Sequence, residues 1–158
     1  MPMKHLICAA TLGLAVHAGP ALADDTAAVT AFYDLLSNPG EQAHVDAFLA
    51  TTTDTWESIG TYSGKAKTRD AFLGQVGGFG QLIPDLDWAI QDMHVADDAI
   101  TVRSRATGTP VAPFFGVDSA GRSFDIMTID IHEVENGTIL RTYHVEDWAT
   151  ALQQLSGQ

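Results

Sequence analysis

Basic residues are scarce in this chain. Eight Lys and Arg stand against 20 Asp and Glu, a net charge of −12 over 158 residues. No basic patch of any length occurs, so the electrostatic footprint of a phosphate-backbone binder is missing and nucleic acid is not an expected partner. Cysteine is scarcer still, with Cys8 alone. Intrachain disulfides and Cys-ligated zinc or iron–sulfur sites are thereby excluded. Long apolar runs are lacking too: the best, Leu6–Val16, is too short to span a bilayer, and Cys8 lies too near its start to serve as a lipid attachment point, so no membrane anchor is expected. The histidines show neither His-x-His nor His-x-x-x-His spacing, Gly-x-Ser-x-Gly is absent, and Gly77-Gly78-Phe79-Gly80 follows a helical pattern instead of opening one. Neither a metal, a nucleotide nor any other cofactor is expected.

What is present begins with a leader pattern. Lys4 and His5 precede the apolar run, and Ala21-Leu22-Ala23 is a small-x-small cleavage pattern, so residues 1–23 read as a secretory signal peptide and 24–158 as one mature domain. The expected location is periplasmic or secreted. At 46% hydrophobic and 18% charged residues, the chain can bury a core.

The first half of the mature region has helical periodicity. Ala27, Ala28, Ala31, Phe32, Leu35 and Leu36 fall on one face, and Asn38-Pro39-Gly40 ends that helix. A second helix is expected over His44–Ala50, a short strand over Thr55–Ile59, and a third helix over Lys67–Leu82 with Thr68 as N-cap. The second half changes period. Leu86–Val95, Ile100–Thr109, Ser123–Val134 and Thr138–Glu146 read as strands, with Asn136-Gly137 as a tight hairpin turn, and Asp147–Leu155 reads as a last helix. Helices first and long strands after predict an α+β fold, with three N-terminal helices on one face of a curved antiparallel sheet.

Five pieces of sequence, in order and in register, resemble the SnoaL-like polyketide cyclase family, also called ester cyclases. They are Pro84-Asp85-Leu86, Asp98–Arg103, the stretch Gly108-Thr109…Phe114…Gly116…Gly121-Arg122, Gly137-Thr138-Ile139…Tyr143…Asp147, and Gln154-Leu155. The resemblance covers roughly residues 27–157. It implies a cone-shaped barrel of the nuclear-transport-factor-like type enclosing a pocket, acid/base chemistry without a cofactor, and a homodimer built on the open face of the sheet. Pro110 stands where the family often has His, Ser119-Ala120 where it has Pro-Thr, and Tyr143 where it commonly has Trp, which implies a pocket and a substrate of its own.

The resemblance carries the family's aldol-type acid/base role onto Asp147. If the last strand is regular, Ile139, Arg141, Tyr143, Val145 and Asp147 share a face, and a carboxylate ending an apolar row is desolvated and fit for proton transfer. The same position, just before a helix, also suits an N-cap. His132 and Asp130 alternate with Ile126, Thr128 and Val134; His132 either serves the pocket, holding an enolate oxygen or orienting Asp147, or is a half-buried hydrogen-bonded residue. His144, of opposite parity to Asp147, is expected to point away. Trp56, Phe79, Trp88 and Phe114 are pocket-wall candidates or plain core. Met127, Ile129 and Ile131 are apolar on the opposite parity from Ile126 and Val134, so both sheet faces are expected to be covered. The expected ligand is a small, mainly apolar carbonyl compound, acted on by a cyclase or isomerase; the alternative is a non-catalytic ligand carrier or dimeric interaction module.

Overall fold

The computed structural model describes the backbone of residues 20–157 and the side chains of residues 24–157. Its elements are α1 (Pro20–Ser37), α2 (Gln42–Ala50), β1 (Thr52–Ile59), β2 (Lys67–Thr68), α3 (Arg69–Leu82), β3 (Asp87–Val95), β4 (Ala99–Gly108), β5 (Phe124–Glu135), β6 (Thr138–Glu146) and α4 (Trp148–Ser156). Most of the expected signal peptide lies outside the described residues, and the boundary expected after Ala23 falls in the first turn of α1.

The six strands form one sheet in the order β2-β1-β6-β5-β4-β3. Two expectations are corrected here. The sheet is mixed, because β1 and β6 run parallel while the other neighbours are antiparallel. Residues 60–137 separate these two strands, and a connection that long leaves their direction free. The curved sheet also stays open, with β2 and β3 as edges, so there is no closed barrel. The β5–β6 hairpin turns through Asn136 and Gly137, at φ 51° and 76°, the left-handed pair that an Asn-Gly turn supplies. α3 starts two residues later than expected, after a short β2. Thr68 does cap it, accepting from the Ala71 N–H.

β5 alternates along its length. Phe124, Ile126, Thr128, Asp130, His132 and Val134 are buried on the inner face, while Met127, Ile129 and Ile131 are exposed on the other. β6 does not alternate regularly. Val134 pairs with Ile139 and Glu133 with Arg141, so Leu140 is an extra residue, a β-bulge. Past the bulge the inward set is Thr142, His144 and Glu146, and Tyr143 and Val145 turn outward.

Two aromatic clusters fill the inner side. Phe32 of α1 lies against Phe48, Trp56 and Phe72 with ring centroids 5.5–6.3 Å away. Trp148 of α4 lies against Phe79, Phe114 and Phe124 at 5.4–6.0 Å. Each buried ring contributes about 2–3 kcal/mol of apolar burial. The rigid walls between the clusters bound the cavity described next.

Candidate active site

A cavity of about 230 Å³ lies between the helices and the inner face of the sheet. Its walls include Phe32, Phe72, Val76, Phe79, Trp88 and Trp148, and its polar lining includes Ser58, Asp130, Thr142, His144 and Glu146. The exposed lining residues Gly60, Thr61, Lys65 and Gln75 mark its mouth.

Asp130 is 3% exposed. The hydroxyl of Tyr33, from α1, donates to its Oδ2 at 2.6 Å. Burial pushes the Asp130 carboxyl up to about 7, the neighbouring Glu146 adding to the rise and the Tyr33 hydrogen bond opposing it. The same burial and the same carboxylate raise the Tyr33 phenol, which therefore stays protonated.

Behind Asp130 runs a directed chain of hydrogen bonds. The Trp56 indole donates to Thr142 Oγ1 at 3.2 Å, and Thr142 Oγ1 lies 3.0 Å from His132 Nδ1. His132 Nε2 lies 3.3 Å from the Tyr33 hydroxyl, whose proton goes to Asp130. Donors and acceptors match along the chain if Thr142 donates to Nδ1 and the His132 proton sits on Nε2. His132 is fully buried, and burial pushes its imidazole down to about 3, so it is neutral. It packs edge-on to Phe32 with centroids 4.9 Å apart, and it supports Asp130 from behind the cavity wall without lining the cavity.

His144 sits directly across the ladder from Asp130. Its Nδ1 is 2.7 Å from Glu146 Oε1, and its buried Nε2 has no hydrogen-bond partner among the described residues. A carboxylate on Nδ1 orients an imidazole and leaves Nε2 for chemistry. Gly60 makes room for the ring: a Cβ there would stand 2.7 Å from its Cε1 and Nε2. Trp88 presents a second buried nitrogen without a partner among the described residues, the indole Nε1.

The structure brings only part of the expected set together. Asp130, Phe79 and Trp88 line the cavity. Asp147 does not: it is an exposed N-cap, its carboxylate accepting from the Thr150 N–H at 3.1 Å and hydroxyl at 2.7 Å. Those bonds hold its pKa below the usual carboxylate range, the reverse of the rise that proton transfer would need. Tyr143 faces the outer side, its hydroxyl donating to Glu133 at 3.1 Å. Ile139, Trp56 and Phe114 are packed core residues outside the cavity lining. The corrections for Tyr143 and Asp147 share one cause, the bulge at Leu140, which reverses the facing of β6 beyond it. His144 is the same correction in reverse, expected to point away and found on the cavity side; Glu146 joins it there, and neither Glu146 nor Tyr33 carries a local sequence signal of a role in the site.

The family model described as SnoaL-like polyketide cyclase matches residues 27–155. The chain belongs to this family. No curated protein matches it by sequence. Among solved structures, a protein from Jannaschia sp. CCS1 assigned as a SnoaL-like polyketide cyclase superposes with TM-score 0.76 at 19% identity, covering 90% of this chain and 98% of that one. IdmH from Streptomyces antibioticus, assigned as a polyketide cyclase, gives 0.72 at 20% identity, covering 83% and 97%. A protein from Catenulispora acidiphila with a ketosteroid isomerase-like fold gives 0.63 at 18% identity, covering 82% and 92%. At these identities the neighbours establish the fold. Within this SnoaL-like chain, Asp130, His144 and Glu146 meet on the sheet side of the cavity, and Tyr33 bonds Asp130 there.

Proposed function

We propose that this SnoaL-like protein catalyses cofactor-independent proton transfer on a small, mainly apolar carbonyl compound, as a cyclase or isomerase. The observation that carries the reading is the cross-strand pair in the cavity. Asp130 has a pKa raised to about 7, and opposite it stands His144, held by Glu146 with Nε2 unpartnered. Two titratable groups in one apolar cavity, one of them shifted toward neutrality, form an acid/base set. In the proposed step, His144 Nε2 takes a proton from the carbon beside the carbonyl, and the electron pair moves to the carbonyl oxygen. Protonated Asp130 donates a hydrogen bond to that oxygen. The proton then returns from His144 to another carbon, giving an isomer, or to the alkoxide formed when the carbanion attacks a second carbonyl, giving a ring.

The test is exchange of α-protons for deuterium in D2O, followed by NMR, with phenylacetone and an apolar β-ketoester as probes. The intact protein should accelerate exchange above the buffer rate, and Asp130→Asn and His144→Gln should each lower the acceleration about 10²–10⁴-fold. Exchange at the buffer rate in the intact protein, or unchanged in both variants, defeats the catalytic reading in favour of a ligand-binding one.

Export and assembly belong to the same reading. The order Lys4, apolar run, Ala21-Leu22-Ala23 supports a periplasmic or secreted protein, and the N-terminal sequence of protein recovered from the periplasmic fraction or the medium tests it. Exposed Met127, Ile129, Ile131 and Val145 on the outer face of β5 and β6 support a homodimer across that face. Light scattering should give twice the chain mass, and Ile129→Lys with Val145→Lys should give the monomer.

A further inference from the structure

Cations are few in this protein, and nearly all are engaged. Arg69 bonds Asp54 at 2.6 Å, Arg105 bonds Asp125 at 2.6 Å, Arg141 bonds Glu133 at 3.2 Å and Arg103 lies 3.9 Å from Asp92. Arg122 donates from Nε to the Leu155 carbonyl at 2.6 Å. Among the described residues two ammonium groups remain, those of Lys65 and Lys67. Neither makes a hydrogen bond or ion pair with any described residue, although the chain has 20 Asp and Glu to offer. Both line the same cavity, the one that holds Asp130 and His144.

Their place in the fold fixes which end of the cavity they serve. Lys65 lies in the loop between β1 and β2, next to the exposed mouth. Lys67 pairs across the ladder with Ser58, and Ser58 pairs with Thr142, which shares the inner face of β6 with His144. Two strand spacings, about 10 Å, therefore separate the Lys67 backbone from the β6 row that carries His144. The inner end is unsuited to a second carboxylate, which would stand against the Glu146 carboxylate among aromatic walls. The mouth is suited to one. Flexible, hydrated point charges fit a terminal anion at a solvent-open entrance.

We infer that the ligand of this cavity is an apolar carbonyl compound ending in a carboxylate, and that Lys65 and Lys67 bind the carboxylate at the mouth while the carbonyl end enters toward His144 and Asp130. The inference rests on the proposed function for which end reacts, but the charge preference it specifies does not depend on turnover. It also gives the ligand one orientation, because the reverse would bring the carboxylate against Glu146.

The experiment compares two probes that differ at the head group, 4-phenylbutyrate and 4-phenylbutan-1-ol, titrated against the fluorescence of Trp88 and Trp148 in the cavity wall. The intact protein should bind the carboxylate about tenfold more tightly at low salt, and the preference should shrink as NaCl rises. Lys65→Met with Lys67→Met should abolish the preference by weakening carboxylate binding far more than alcohol binding, and Lys65→Arg with Lys67→Arg should keep it. Equal affinities in the intact protein, no binding of the carboxylate, or a preference that survives the double Met variant would overturn the inference. A charge preference without α-proton exchange supports the lysine site while removing the catalytic reading. Exchange without a charge preference does the reverse.

Discussion

β5 and β6 are neighbouring strands of one hairpin, and they teach opposite lessons about side-chain facing. β5 holds a two-residue alternation over twelve residues, so its inner and outer sets can be read directly from the order of residues. β6 keeps that alternation only up to Ile139. The extra residue at Leu140 then sends Arg141 outward and Thr142 inward, and everything beyond is reversed. Asp130 sits on the regular strand, His144 on the irregular one, and the bulge is what puts them opposite each other on the cavity side. A strand rule with a period of two is unforgiving: one residue moves a whole row from one solvent environment to the other.

The most severe way to break this contrast is to delete Tyr143, between the bulge and His144. Thr142 would keep its inward place, but His144 and Glu146 would turn to the outer face and the exposed Val145 would turn inward. The deletion should cost on the order of several kcal/mol, enough to threaten folding, and abolish exchange. Deleting Leu140 is the milder case: it removes the extra residue, so Ile139, Thr142 and His144 stay inside and the Val134–Ile139 and Glu133–Arg141 pairs are kept, and it should cost well under half of that. Thermal melts of the two variants side by side check the prediction. Similar melting temperatures would mean that the facing of β6 beyond the bulge is not what the fold depends on.

Asp130→Asn sharpens the comparison at the regular strand. The folded-state pKa is about 7 against 3.8 for a free carboxyl, so the folded protein holds a proton that the unfolded chain gives up. Stability from this group is complete below about 3.8 and is lost as pH rises through 7, a loss on the order of 4 kcal/mol. His132 acts in the opposite sense: with its pKa depressed from 6.5 to about 3, stability is lost as pH falls through that interval. The two trends oppose each other between about pH 4 and 6.5 in the native protein. In Asp130→Asn the His132 trend alone remains. Urea melts should show the variant gaining on the native protein steadily from pH 4 to pH 8, while its α-proton exchange is lost. A pH-independent difference would mean that Asp130 is not titrating in the folded state.

Gly60→Ala probes the irregular strand from across the ladder. The new Cβ would stand 2.7 Å from the His144 ring, which must rotate off its 2.7 Å contact with Glu146. Exchange should fall at least about tenfold, a misplacement effect of the kind that geometry-dependent proton transfer shows, with a stability change of about 1–2 kcal/mol. Gly74→Ala is the control: nothing lies within 4 Å of its Cβ, on an exposed turn of α3, and it should stabilise by about 0.5–1 kcal/mol. A displaced His144 resonance in the Gly60 variant and an undisturbed one in the Gly74 variant would tie the effect to the ring.

Sequence reasoning reached most of the architecture because its signals are local. The Asn136-Gly137 turn, the Thr68 cap and the alternation in β4 and β5 each depend on a few adjacent residues. It missed what depends on pairing between distant segments. The parallel contact of β1 with β6 leaves no mark in either strand, and neither does the approach of Tyr33 to Asp130 across 97 residues. The bulge is the intermediate case. Ile139 and Thr142, three apart and both buried, cannot share a face of a regular strand, but the apolar series Ile139, Leu140, Tyr143 and Val145 is compatible with either facing.

The smallest expected effect concerns Asp147, the position onto which the family resemblance carries an acid/base role. Two explanations of that carboxylate make different demands. A cap needs only a side-chain oxygen facing the Thr150 N–H, which Asn supplies as well as Asp. An acid/base group needs a titratable proton, which Asn lacks. Asp147→Asn should therefore leave both melting temperature and exchange close to native, and Asp147→Ala should lower the melting temperature by about 3–5 °C with exchange unchanged. The folded pKa of Asp147 is depressed by its bonds to Thr150, so its ionised form stabilises the fold above the ordinary carboxylate pKa and the benefit fades as pH falls through the lowered value. The gap between the native protein and Asp147→Ala should narrow in acid, while the gap between Asp147→Asn and Asp147→Ala should not. Loss of exchange in Asp147→Asn would return the chemistry to the end of β6 and make the β-bulge an incidental feature of this site.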